Sequence, residues 1–210
     1  MNFRADMLKL YAVTDRKSLN GISLETAVEQ AIQGGVTCVQ LREKNISFSE
    51  YVSTAKAIHK ICKRYGIPLI INDDYKVALE SDADGVHVGA EDTSVAEIRR
   101  NTGGNFIIGA TAKTIEQAQK AQSDGADYLG VGAVFPSPTK KNAIRITPEI
   151  LTEICRSVEI PTVAIGGINL ENLHIIKGCG QSGIAVVSAL FAQTDIRISA
   201  ERLRAEYEKI

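Results

Sequence analysis

Long apolar runs, an export leader, paired cysteines and an excess of positive charge are all missing from this 210-residue sequence. Each absence narrows what the protein can do. No apolar stretch reaches the roughly 18–20 residues of a helical membrane span, so none is expected. The N-terminus, Met1-Asn-Phe-Arg-Ala-Asp-Met-Leu-Lys9, lacks the apolar centre of a signal peptide, which favours a cytoplasmic protein. Cys38, Cys62, Cys155 and Cys179 show no Cys-x-x-Cys spacing. Free buried thiols in a reducing compartment are their simplest reading, ahead of disulfides or a metal site. With a formal net charge of −1 and no basic stripe interleaved with aromatics, nucleic acid is not an expected partner. Any anion site must therefore be local. No Gly-x-Gly-x-x-Gly follows the first strand, which leaves an open doubly wound sheet as the weaker fold reading. No Ser/His/Asp or Cys/His arrangement can be placed, so nucleophilic catalysis is unsupported. His59 and His174 fall on helical stretches and are expected at the surface; His87, between valines, reads as a satisfied core histidine.

What the chain does have is an alternation of short apolar segments with amphipathic helical ones. Strands are expected at 9–15, 38–43, 68–73, 85–89, 106–111, 128–133, 162–167 and 183–188. Helices are expected at 23–33, 48–65, 94–101, 115–123, 148–157, 170–177 and 198–208. Small residues enter several strands: Gly34-Gly35-Val36, Ala83-Asp84-Gly85, Gly125-Ala126-Asp127 and Ser182-Gly183. Such a residue ends the preceding helix and lets it pack close to the sheet. Repeated βα units force parallel strands. Eight of them without a long linker point to one (β/α)8 TIM barrel spanning 1–210. A hydrophobic content of 44% supplies the core it needs.

In such a barrel the chemistry sits where strands end. The second strand ends in Gln40-Leu-Arg42-Glu-Lys44, which puts a carboxamide and two cations on one side of a buried segment. A buried cation without a partner is costly, so an anionic ligand is the favoured explanation; pairing with acidic neighbours, or simply reaching water, is the alternative. The third strand passes into Asn72-Asp73-Asp74 and the fourth is followed by Glu91-Asp92. Carboxylates from adjacent strands suit Mg2+, which is commonly shared with a phosphorylated substrate. They would otherwise serve as helix caps or partners of Arg42 and Lys44, the cap being the favoured role for Asp74. Thr111 and Lys113 end the fifth strand, and a loop at 137–141 follows the sixth. Gly166-Gly167 and Val187-Ser188 end the last two, a common place for a phosphate.

Taken in order, Tyr11-Ala-Val-Thr-Asp15, Gln40–Lys44, Asn72-Asp73-Asp74, Gly85-Val-His-Val-Gly89 with Glu91-Asp92, the Pro136–Lys141 loop, Ile165-Gly-Gly-Ile168 and Val187-Ser188 resemble the thiamine phosphate synthase family over nearly the whole chain. The resemblance implies a transferase that couples 4-amino-2-methyl-5-hydroxymethylpyrimidine diphosphate with hydroxyethylthiazole phosphate, with Mg2+ as cofactor. Pyrophosphate would leave through a carbocation-like species. It implies that Gln40, Leu41, Arg42, Glu43, Lys44, Asn72, Thr111 and Lys140 hold the pyrimidine diphosphate. Asp73 and Asp92 would bind Mg2+, and Ser137, Pro138, Thr139, Gly167, Val187 and Ser188 would take the thiazole phosphate. Arg42, Lys44 and Lys140 would stabilise the leaving group. Two departures stand out: Gly109-Ala-Thr111-Ala-Lys113-Thr114 replaces the family's Gly-Val-Ser-x-His-Thr, and Ser137-Pro138-Thr139 replaces Thr-x-Thr while keeping both hydroxyls. The rival on the same barrel is a thiazole tautomerase, which would use the histidine that is Lys113 here. A non-catalytic sensor of thiamine precursors is a third reading. Small-molecule substrates, no membrane partner and a homo-oligomer complete the expectation.

Overall fold

The computed structural model describes residues 3–137 and 144–209. Eight parallel strands pair in sequence order and close on themselves. They are β1 (Leu10–Val13), β2 (Cys38–Leu41), β3 (Leu69–Asn72), β4 (Gly85–Val88), β5 (Ile107–Ala112), β6 (Tyr128–Gly132), β7 (Thr162–Ile165) and β8 (Gly183–Val186). β8 pairs with β1, Tyr11 opposite Ala185. The helices are α1 (Leu24–Gln33), α2 (Phe48–Arg64), α3 (Tyr75–Glu80), α4 (Val95–Thr102), α5 (Ile115–Ser123), α6 (Pro148–Arg156), α7 (Ser188–Phe191) and α8 (Ile196–Tyr207).

Alternation along the strands divides the core in two. Leu10, Ala12, Val39, Leu41, Leu69, Ile71, Val86 and Ile108 face outward and pack beneath the helices. Tyr11, Val13, Cys38, Ile70, Ile107, Tyr128, Val163 and Ala185 fill the barrel. The helices begin where side chains can accept their free N–H groups. Ser47 accepts from Glu50 N, and Glu50 answers with its carboxylate on Ser47 N at 2.9 Å. Thr147 caps α6, with Pro148 at its first turn.

The small-residue entries recur in space as well as in sequence. Asp84 accepts from Leu69 N at 2.9 Å, and Asp127 accepts from Ile108 N at 2.7 Å, so each tethers the strand beside it. Gly34 lies against α8, where a Cβ would strike the Arg197 carbonyl and Ala200. Three expectations are corrected. The helix expected at 170–177 contracts to a 3-10 turn over Leu173–Ile176, because Asn172 and Asn169 fold onto backbone groups instead of continuing a helix. The eighth strand stops at Val186, and Ser188 opens α7. His59 turns inward on α2, its ring 3.7 Å from Asp84, with only 16% of its side chain exposed. His174 is exposed as expected.

Candidate active site

The carboxyl ends of β2, β3 and β4 converge their charged groups. Lys44 Nζ donates to Asp73 Oδ2 at 2.6 Å, and Asn72 Nδ2 donates to Asp73 Oδ1 at 2.6 Å. Asp73 takes a left-handed backbone, φ +67°, a conformation that an aspartate tolerates at some cost. Its N–H is held by the His87 carbonyl at 2.8 Å. Asp92 Oδ2 accepts from Gly89 N at 2.7 Å. Burial, together with the neighbouring Asp73 carboxylate and a hydrogen bond to it, raises the Asp92 pKa above its usual 3.8; the Gly89 N–H and Lys44 pull the other way. The two carboxylates therefore feel each other's charge. Asp74 caps α3, its Oδ1 accepting from Lys76 N at 2.9 Å.

Arg42 behaves differently from Lys44. Its N–H donates to Thr14 Oγ1 at 2.9 Å, which ties β2 to β1. Its partly buried guanidinium makes no ion pair or hydrogen bond with the described residues. A partly buried cation with no carboxylate among the described residues is a place for an anion. Glu43 points away from that cation and meets Arg16 at 2.6 Å, its side chain 4% exposed. Leu41 is fully buried in the layer beneath the helices, and its carbonyl accepts from Tyr51 OH at 2.8 Å. A ligand could reach Leu41 only through backbone atoms.

On the far side of the barrel, Gly166 and Gly167 hold φ of +102° and +64°. A Cβ on Gly167 would collide with the Phe135 and Pro136 carbonyls, so the end of β7 lies against the segment that carries Ser137. Val187 packs onto the barrel interior, and Ser188 opens α7 beside it. Pro138, Thr139 and Lys140 lie outside the described residues. Lys113 sits just past β5, its N–H on Gln117 Oε1 at 2.8 Å.

Below this rim a polar chain crosses the barrel. Gln40 Nε2 donates to Tyr11 OH at 2.9 Å, and the Tyr11 and Tyr128 hydroxyls lie 2.7 Å apart. His87 Nδ1 is 3.1 Å from Tyr128 OH, and His87 Nε2 is 3.0 Å from Thr111 Oγ1. Burial, opposed by Asp73, lowers the His87 pKa from 6.5 to about 4, so its ring is neutral near pH 7. It is a satisfied core histidine, as the sequence suggested. Tyr11 and Tyr128 were missed as parts of the site. The available signal was two hydroxyls at inward positions of apolar strands, each of which needs a buried partner.

A cation at the rim would meet Asp73 and Asp92. Among the described residues no three His, Cys, Asp or Glu gather around one point. The rest of its shell would therefore be water and substrate oxygen, which is how Mg2+ is commonly held. The opposite end of the barrel carries a shallow cavity of about 290 Å³ lined by Arg4, Asp6, Tyr65 and Pro68. Its Arg4–Asp6 pair is exposed and self-satisfied, so no chemistry converges there.

The chain is similar to known proteins over nearly its whole length. The family described as thiamine monophosphate synthase matches residues 10–190. The chain is 48% identical to a thiamine-phosphate synthase of Clostridium tetani over 92% of its length and 93% of the relative's. It is 49% identical to one of Ruminiclostridium cellulolyticum, covering 92% of each. Among solved structures it is similar to thiamine phosphate pyrophosphorylase from Pyrococcus furiosus, with a TM-score of 0.90, 39% identity and 98% of each chain covered.

Proposed function

The chain belongs to the thiamine monophosphate synthase family and is a transferase of that kind, and from this we propose the reaction at its rim. The pyrimidine diphosphate and the thiazole phosphate bind there, and thiamine phosphate and pyrophosphate leave. The observation that carries this reading is the juxtaposition of Arg42, which has no side-chain partner among the described residues, with the Lys44–Asp73–Asp92 cluster on adjacent strand ends. Cation and acid together suit a diphosphate that arrives with a metal ion.

The C–O bond between the pyrimidine methylene and the diphosphate breaks, and its electron pair leaves with the oxygen. The aminopyrimidine ring carries the positive charge left on the methylene. The thiazole nitrogen then donates its lone pair to form the new C–N bond. No side chain needs to become a nucleophile. Arg42 and Lys44 face the charge that grows on the leaving oxygen, and Lys140 joins them on this reading. Lys44 also holds Asp73 in place through its 2.6 Å contact. Asp73 and Asp92 would hold Mg2+, which when bound neutralises diphosphate charge as a Lewis acid. Gln40, Asn72 and Thr111 would orient the pyrimidine, while Ser137, Thr139, Gly167, Val187 and Ser188 would seat the thiazole phosphate. Pro138 would join them by the same resemblance, and Leu41 and Glu43 would contribute through backbone and packing.

The tautomerase reading needs a proton-moving residue where Lys113 stands, and the Asp73–Asp92 pair gives it no use. Incubating the purified protein with both substrates and Mg2+ tests the proposal through release of pyrophosphate and thiamine phosphate. No product above background would overturn it. No helix among the described residues is long and apolar enough to cross a membrane. A cytoplasmic location and a homo-oligomer belong to the same proposal, the second tested by light scattering.

A further inference from the structure

The hydrogen bonds inside the barrel have a direction, and it bears on which substrate fits. Gln40 and Thr111 reach the floor of the site, and both are bound from below by groups that no bulk water meets. Exposure is 5% for Gln40, 1% for Tyr11, 0% for Tyr128 and 8% for His87. Each hydroxyl there has one proton to give. Gln40 gives an N–H to Tyr11. That leaves the Tyr11 proton able to go to Tyr128 OH, 2.7 Å away, and the Tyr128 proton to His87 Nδ1, 3.1 Å away, which is the order the proposal adopts. A neutral imidazole that accepts at Nδ1 carries its proton on Nε2 and donates it to Thr111 Oγ1. Among the described residues, Thr111 is then left with an unused O–H and Gln40 with an unused Oε1.

Room has been made for this chain. A Cβ on Gly109 would strike the Tyr128 ring, its hydroxyl and His87 Nδ1. A Cβ on Gly130 would lie 2.9 Å from His87 Cε1. Two inward glycines on adjacent strands thus leave the His87–Tyr128 pair its space.

We propose that Tyr11, Tyr128 and His87 are positioning residues that order the protons of the floor, so that Gln40 presents an acceptor and Thr111 a donor. This rests on the synthase reading, because it identifies the ring that meets them. The complementary ligand is a heteroaromatic ring carrying an amino group and an unprotonated ring nitrogen. A 4-oxo ring, with a carbonyl and a ring N–H in those places, meets acceptor with acceptor and donor with donor. The relay therefore selects amino- over oxopyrimidine diphosphates.

Tyr128→Phe tests this, since it keeps the ring that stacks on Phe3 at 5.6 Å and removes only the shared hydroxyl. In substrate-free protein labelled with 15N, the wild-type His87 ring should show Nδ1 bare and Nε2 protonated, and the variant a mixture of tautomers. The variant's KM for the pyrimidine diphosphate should rise about tenfold while its KM for the thiazole phosphate stays unchanged. Preference for the amino over the oxo diphosphate in competition should shrink by a similar factor. Thr111→Val should behave as Tyr128→Phe, and Thr111→Ser, which restores the hydroxyl, should recover most of the amino-over-oxo preference that Thr111→Val loses. A protonated Nδ1 in the wild type would overturn the relay. So would equal changes in both KM values, the mark of a merely structural role. Should Tyr128→Phe fail to fold, the Thr111 pair carries the same test. If the wild type makes no thiamine phosphate, the synthase reading falls, and the imidazole spectrum still decides the relay.

Discussion

Acid should weaken the ligand-free barrel through His87 before most carboxylates begin to titrate. Burial, opposed by Asp73, lowers the ring's pKa from 6.5 to about 4 in the folded protein. The unfolded chain takes up its proton near pH 6.5, whereas the folded chain waits until about pH 4. The stability associated with a neutral His87 is thus complete above pH 6.5 and is lost as the pH falls from 6.5 to 4. At roughly 1.4 kcal/mol per pH unit, linkage sets the loss at about 2 kcal/mol by pH 5 and about 3 kcal/mol by pH 4. Asp6, Glu50, Glu116, Glu149 and Glu208 have lowered pKa values from local hydrogen bonds and lose their contributions in more acid solution. A comparison of pH 7.5 with pH 5 keeps most of their effect out. The assay is urea unfolding followed by far-UV circular dichroism in Mg2+-free buffer, since the chain has no tryptophan. His87→Gln is the control: less stable at pH 7.5, it should lose about 2 kcal/mol less than wild type on going to pH 5. Equal losses in the two proteins would refute the reasoning, because every other group is common to both.

Asp92→Asn keeps an acceptor for the Gly89 N–H and removes a like charge from beside Asp73. Because the folded pKa of Asp92 is raised, its ionised form costs stability as the pH rises above 3.8, so at pH 7 the variant should melt no lower than wild type and up to about 3 °C higher. Its Mg2+-dependent turnover should fall about a hundredfold or more, and a variant that is both active and less stable would contradict the metal role. Arg42→Gln should lower kcat/KM for the pyrimidine diphosphate about a hundredfold with an unchanged melting temperature; unaltered kinetics would remove its anion role. Gly109→Ala forces a methyl into Tyr128 and His87 and should lower the melting temperature by about 5–10 °C. An unperturbed melting curve would show that the interior has slack the packing does not suggest.

The periodicity of the chain made all eight strands legible, each found within a residue or two of where it is expected. Asp74 as a cap and His87 as a core residue were legible too, because both follow from neighbours in sequence. The turn at Leu173–Ile176 was not, since its apolar residues fit a helix while Asn169 and Asn172 compete for the backbone. His59 was misplaced because its burial depends on Asp84, a partner from a later βα unit. In the candidate site, the cations and acids at strand ends announced themselves by type and position. Their pairing did not: Lys44 finds Asp73 from 29 residues away, Arg42 finds no carboxylate among the described residues, and no local pattern distinguishes the two.

Strand number, the parallel arrangement and the concentration of charge at one end were thus decided by the sequence alone. Side-chain period and the charge of each residue type are local properties, read without knowing what lies opposite. Closure of the barrel decided the rest. Only when β8 meets β1 are the inward faces assigned, and only then do Tyr11 and Tyr128, 117 residues apart, come within 2.7 Å. A buried hydroxyl must find a partner, and which one it finds is settled by the register of strands that the chain reaches much later.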